Sequence, residues 1–151
     1  MGSSSEDCKC LGGGFQSPCE CYTLEGSIGY TCVVDPECPP SNIIKAGTAF
    51  QIVVNWEIHG TAVDLMCGTF GVQAFFEGIG KAADEADYPA APIPVPLVHP
   101  NNPYKQVIDV PGNLLKPGAY NVVVLITFTN AAGNPGPIAG MSDEKLIQIF
   151  P

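Results

Sequence analysis

Two Cys-x-Cys pairs, Cys8-Lys9-Cys10 and Cys19-Glu20-Cys21, stand eight residues apart near the start of the chain. Four thiolates, Cys8, Cys10, Cys19 and Cys21, could enclose a tetrahedral Zn²⁺. Cys32 and Cys38 follow, so that six of the seven cysteines fall within the first 40 residues. An even number of cysteines in a Gly-rich, otherwise coreless segment reads equally as a disulfide-knitted arm, with Cys8, Cys10, Cys19, Cys21, Cys32 and Cys38 as the candidates. Zinc sites more often use Cys-x-x-Cys, so both readings stay open. Zinc is the one cofactor this pattern admits, and the spacing fixes no disulfide connectivity.

Catalysis needs a nucleophile with a base within reach, and the chain is poorly supplied with either. The seventh cysteine, Cys67, precedes an apolar run and reads as a small buried hydrophobe. His59 and His99 are the only histidines. His59 falls on the solvent-facing parity of an alternating stretch, and His99 sits among prolines. A blue-copper centre would need a Cys and a His close together near the last strand, where neither occurs. Asp84-Glu85-Ala86-Asp87 has the letters of a helicase box, but no Gly-x-x-x-x-Gly-Lys phosphate loop accompanies it. The same acidic cluster lacks the spacing of an EF-hand calcium loop. No catalytic and no cofactor-binding residue is assigned, and the chain is not expected to be an enzyme.

Composition narrows the partners. The 151 residues include no Arg, and six Lys face fifteen Asp and Glu for a net charge of −9. Such a chain cannot neutralise a run of phosphates, so nucleic acid is excluded as a partner, and an anionic membrane surface is disfavoured for the same reason. No apolar run approaches the ~20 residues of a spanning helix, so no membrane span is expected. The first seven residues have neither a basic n-region nor an apolar h-region, and no signal peptide is read there. Glu6 stands where an N-myristoylation motif wants Ser or Thr. Charged residues make up 14% of the chain, against about 25% in an ordinary soluble domain. That scarcity implies either a large dry core or apolar surface kept for a partner.

The elements that would position these residues are strands. With 17 Gly and 15 Pro, the chain is rich in turn formers. Residues 1–40 form a cysteine-rich N-terminal arm, and residues 41–151 carry the strand signals. In 48–59, Phe50, Ile52, Val54, Trp56 and Ile58 alternate with Gln51, Asn55, Glu57 and His59, which predicts a half-buried strand. Residues 70–77 alternate likewise. Residues 81–87 could form one or two helical turns. Pro89, Pro92, Pro94, Pro96, Pro100 and Pro103 then forbid helix and central strand alike. That stretch reads as a crossing between sheets or as a blunted edge rather than as a polyproline ligand, because no basic residue flanks it. Further strands are predicted at 105–110, at 120–129 and at 145–150, with a loop at 130–143. Several short strands separated by turn signals form a sandwich or barrel.

Leu115-Lys116-Pro117-Gly118-Ala119-Tyr120-Asn121-Val122-Val123-Val124 resembles the approach to strand F of fibronectin type III and bacterial immunoglobulin-like domains. Trp56 is similar to the core Trp of their strand B, and 129–137 look like their F–G turn. The resemblance implies an all-β, immunoglobulin-like or fibronectin III-like two-sheet sandwich. It also implies a tyrosine corner, in which the Tyr120 ring fills the core edge and its hydroxyl ties back to nearby backbone. No cysteine lies in the F-like strand, so the inter-sheet disulfide of antibody domains cannot form.

In such a sandwich 70–77 and 120–129 lie side by side. The pleat then points Phe70, Val72, Phe76, Val122, Val124 and Ile126 inward, and Phe75, Val123 and Leu125 outward. Those three are the candidate interface, unless the proline-rich stretch or the arm folds over them. The expected function is a non-enzymatic structural or protein-interaction module, binding a protein partner or self-assembling at a cell surface or in an extracellular fibre or shell. The alternative is a small metal-binding or redox protein whose cysteine site rides on a sandwich scaffold. The sequence leans towards an extracellular or cell-surface location, with the cytoplasm as the alternative.

Overall fold

Alternation of large apolar and polar residues makes strands here, and the computed structural model places each alternating stretch in one. It describes residues 24–34, 42–61, 63–80, 85–98 and 103–151. Its strands are β1 (Glu25–Val34), β2 (Ile43–Lys45), β3 (Phe50–His59), β4 (Gly68–Ile79), β5 (Ala86–Pro96), β6 (Tyr104–Val110), β7 (Gly118–Asn130), β8 (Pro135–Met141) and β9 (Lys145–Phe150). One 3-10 turn, Val63–Leu65, links β3 to β4, and no α-helix occurs among the described residues.

The strands form two sheets. The smaller has the order β1-β3-β6; the larger has β2-β9-β7-β4-β5, with β8 also paired to β7. All neighbours are antiparallel except β2, which runs parallel to β9. Strand β7 is central: β4 runs along one edge, and β9 and then β8 occupy the other. Where that second edge changes partner, Ser142 fills the gap. The Val124 N–H donates to its Oγ at 2.8 Å, and its own N–H donates to the Val124 carbonyl at 2.9 Å. Both backbone groups of a buried residue are thereby paired.

The two inner faces make one core. Phe50, Ile52, Val54, Trp56 and Ile58 of β3 pack against Phe70, Val72, Ala74 and Phe76 of β4 and Tyr120, Val122, Val124, Ile126 and Phe128 of β7, all buried. At one end Trp56 stacks on Tyr104 (5.6 Å, 16°) and meets Phe70 edge-on (5.6 Å, 71°). At the other, Phe50 meets Phe76 at 6.3 Å and 89°. These geometries suit ring quadrupoles. The Tyr120 hydroxyl donates to the Lys116 carbonyl at 2.8 Å, which is the backbone tie expected of that residue.

Three expectations are corrected. Strand β1 lies within the stretch read as the arm, yet it pairs with β3, and Leu24 is buried in the core; the sandwich therefore begins before Glu25. Its period of two is broken by a register slip between Ile28 and Thr31, which hides it from a pattern search. Residues 135–141, read as loop, form β8. Pro135, Gly136 and Gly140 signal a turn, but an edge strand tolerates them, and β7 supplies the ladder. Of the two readings of the proline-rich stretch, the blunted edge holds and the crossing does not: it is strand β5, paired with β4. It is an edge, where proline is allowed. Ala86 and Asp87, read as the end of a helical turn, start that strand, and residues 81–84 lie outside the described residues.

Candidate functional site

The outer face of the larger sheet is built by parity. Because Val122, Val124 and Ile126 point inward, their neighbours point outward, and ladder pairing sets residues of successive strands in rows. One row runs Ile79, Ala119, Gln148, Ile43; the next Glu77, Asn121, Leu146; the next Asp87, Phe75, Val123; the next Gln73, Leu125, Met141. Side chains opposite one another in such rows have Cβ atoms about 4.5–5.5 Å apart. Phe150 and Lys45 continue the face at the β2 edge.

The predicted residues Phe75, Val123 and Leu125 do lie together on this face, each partly buried. Five further apolar side chains surround them: Ile43, Ile79, Met141, Leu146 and Phe150, between 40% and 67% exposed. In β9 Leu146 and Phe150 lie on the face opposite the buried Ile147 and Ile149, and the candidate interface read from the sequence did not include them. The signal was the parity of β9; the adjacency of β9 to β7 was missing. Met141 was hidden in the supposed loop. Among the described residues only two other large hydrophobics, Leu65 and Val98, are similarly exposed, so exposure is concentrated on one face rather than scattered. The proline-rich stretch does not cover it, since β5 lies in the plane of the sheet.

Strand β5 borders this face with a wide bulge. The ladder slips between Val72 and Ala74, leaving Gln73 opposite the segment from Pro89 to Pro92. The Gln73 side-chain amide donates to the Pro89 carbonyl at 2.7 Å and to the Ala90 carbonyl at 3.4 Å, which holds the bulge in place.

The other candidate chemistry is dispersed. Cys67 is exposed just before β4, contrary to the buried hydrophobe expected of it. His59 bonds Glu57 at 3.0 Å, two residues away on one face of β3, and both are well exposed. Such a solvated pair contributes little. Cys8, Cys10, Cys19, Cys21, Cys38 and His99 lie outside the described residues, and of Cys32 only its backbone place opposite Val53 in β1 is described. Among the described residues no three of His, Cys, Asp or Glu cluster as metal ligands would, and no helix is long and apolar enough to cross a membrane.

No protein-family model matches the chain, and no curated protein matches it. Among solved structures it is similar to the C-terminal domain of Wzt, with 9% identity and a TM-score of 0.57 over 95% of this chain and 78% of that one. A Bordetella pertussis protein proposed to be ApaA matches at 12% identity and a TM-score of 0.40, over 85% of this chain and 94% of that one. At such identities a likeness concerns fold alone, and fold does not carry function. By its two sheets, its single inner core and its likeness to the Wzt domain, the chain is an all-β protein of the β-sandwich class.

Proposed function

We propose that this chain is a non-enzymatic interaction module on an immunoglobulin-like sandwich, and that it associates through the outer face of its larger sheet. The immunoglobulin-like reading is supported by strand order. β1-β3-β6 facing β9-β7-β4-β5 corresponds to strands A, B and E against G, F, C and C′. The Tyr120 hydroxyl bond to Lys116, on the strand corresponding to F, supports it further.

The carrying observation for the module is the clustering of five exposed large apolar side chains around Phe75, Val123 and Leu125. Among the described residues in the rows of that face, Glu77, Asp87 and Lys45 are the charged ones. A surface of this kind loses little on desolvation and gains roughly 25 cal/mol for each Å² of apolar area removed from water. The partner is a protein surface of matching apolar character, with a second copy of the chain as the first to test.

Leu125→Lys and Leu146→Lys place a charge in the middle of the face and leave the inner core untouched. Sedimentation velocity over a concentration series should show the parent associating and both variants shifted to the monomer, with melting temperatures near the parent's. A parent that stays monomeric at every concentration rules out the self-associating form. Variants that lose stability while association is unchanged show instead that the face is covered within the molecule.

A further inference from the structure

A second surface feature is the free side of β6, which ends the smaller sheet among the described residues. The other outer strands are blunted. β5 carries Pro92, Pro94 and Pro96, β1 and β8 are broken by register slips, and β2 has three residues. By contrast, β6 contains neither Pro nor Gly. It keeps one unbroken register with β3, from the pair of Val110 and Phe50 to the pair of Tyr104 and Trp56. Gln106 Nε2 donates to the Val107 carbonyl at 2.8 Å, which marks that carbonyl as facing away from β3. Successive residues of an antiparallel strand turn their backbone groups to opposite sides, so Lys105, Val107 and Asp109 all present N–H and C=O on the free side. Their side chains have the parity opposite to the buried Tyr104, Ile108 and Val110, and Lys105 and Asp109 are exposed.

We propose that this edge pairs with the same edge of a second copy of the chain, antiparallel and centred on Val107. The two-fold axis then sets Val107 against the second copy's Val107, Lys105 against its Asp109, and Asp109 against its Lys105. Each of these pairs exchanges two backbone hydrogen bonds, and the second copy's Val107 N–H takes the place of the Gln106 amide. Opposite charges directly across two strands stabilise their pairing, and like charges destabilise it. Lys105 and Asp109 stand two residues either side of Val107, so the edge is complementary to itself in this register. Centring the pair on Lys105 or on Asp109 instead would set like charges together. Gln51 Nε2 donates to Asp109 Oδ1 at 2.8 Å, which orients that carboxylate without neutralising it. Exposed ion pairs contribute little by themselves; here they fix the register while the backbone bonds hold the strands. A single strand edge buries little area, so the contact is weak and forms at the concentrations of an NMR sample rather than in dilute sedimentation. It lies on the other sheet from the outer face described above, and the inference stands whether or not that face binds a partner.

The test follows the backbone amides of the full chain by NMR over a dilution series. The Lys105, Val107 and Asp109 amides should shift and exchange more slowly as concentration rises, while the Gln106 and Ile108 amides, which face β3, should be protected throughout. Lys105→Asp and Asp109→Lys should each weaken the association by about tenfold or more. The two variants move the net charge in opposite directions, so a loss shared by both reflects the pairing rather than overall charge. An equimolar mixture of the two should associate as the parent does, because an all-acidic edge then meets an all-basic one. The double variant should do the same. Val107→Pro removes a donor that faces away from β3, so it should keep the fold and abolish the association. Amides at 105, 107 and 109 that do not respond to concentration overturn the proposal. So do single charge variants that associate like the parent, or a mixture of them that stays dissociated.

Discussion

Trp56 is fully buried, and its indole N–H finds no hydrogen-bond partner among the described residues. Its contribution is therefore apolar and aromatic, offset in part by a desolvated donor that costs about 1–3 kcal/mol. Trp56→Ala should destabilise by about 3–5 kcal/mol. Trp56→Phe retains a ring against Tyr104 and removes the orphan donor, so chemical denaturation should show a clearly smaller loss. Equal losses for the two would mean that the donor is satisfied. At Ser142 the logic is reversed, because its hydroxyl accepts the Val124 N–H. Ser142→Ala should cost about 1–3 kcal/mol and speed hydrogen exchange at the Val124 amide, since it leaves a buried N–H unpaired.

At the scale of the element, β5 shows how proline protects a free edge. The Leu97 N–H donates to the Gly68 carbonyl at 3.0 Å, so the odd-numbered residues of this stretch turn their N–H groups towards β4. By the pleat, positions 92, 94 and 96 then turn theirs away from it, and all three are proline. The prolines remove the outward donors that a neighbouring chain's strand would use. Replacing Pro92, Pro94 and Pro96 together with Thr restores those donors. The triple variant should keep the fold and aggregate faster, read by thioflavin fluorescence and light scattering. Unchanged aggregation would show that the edge is protected by something else.

At the scale of the molecule, the smaller sheet has three strands among the described residues, and β1 is one of the two outer ones. Removing residues 1–40 would strip β1 from β3 and delete the buried Leu24. That loss should exceed about 2 kcal/mol for Leu24 alone. Removing residues 1–23 keeps both, so the shorter truncation should melt at a clearly higher temperature than the longer one. Identical melting temperatures would mean that β1 contributes nothing to the sandwich.

The sequence by itself determined which residues face the core. Period-two alternation is a local property, and Phe50 to Ile58 or Tyr120 to Phe128 cannot bury their apolar side any other way. The Tyr120 tie was expected from the resemblance of 115–124 to a tyrosine corner, and its bond to Lys116 spans four residues. Tertiary structure decided the rest. β1 and β8 have little alternation of their own and exist because β3 and β7 supply the ladders they pair with. The outer face joins Ile43, Phe75, Leu125 and Leu146. These residues are far apart in the chain and meet only through strand order, which is set by long-range pairing that no local pattern encodes.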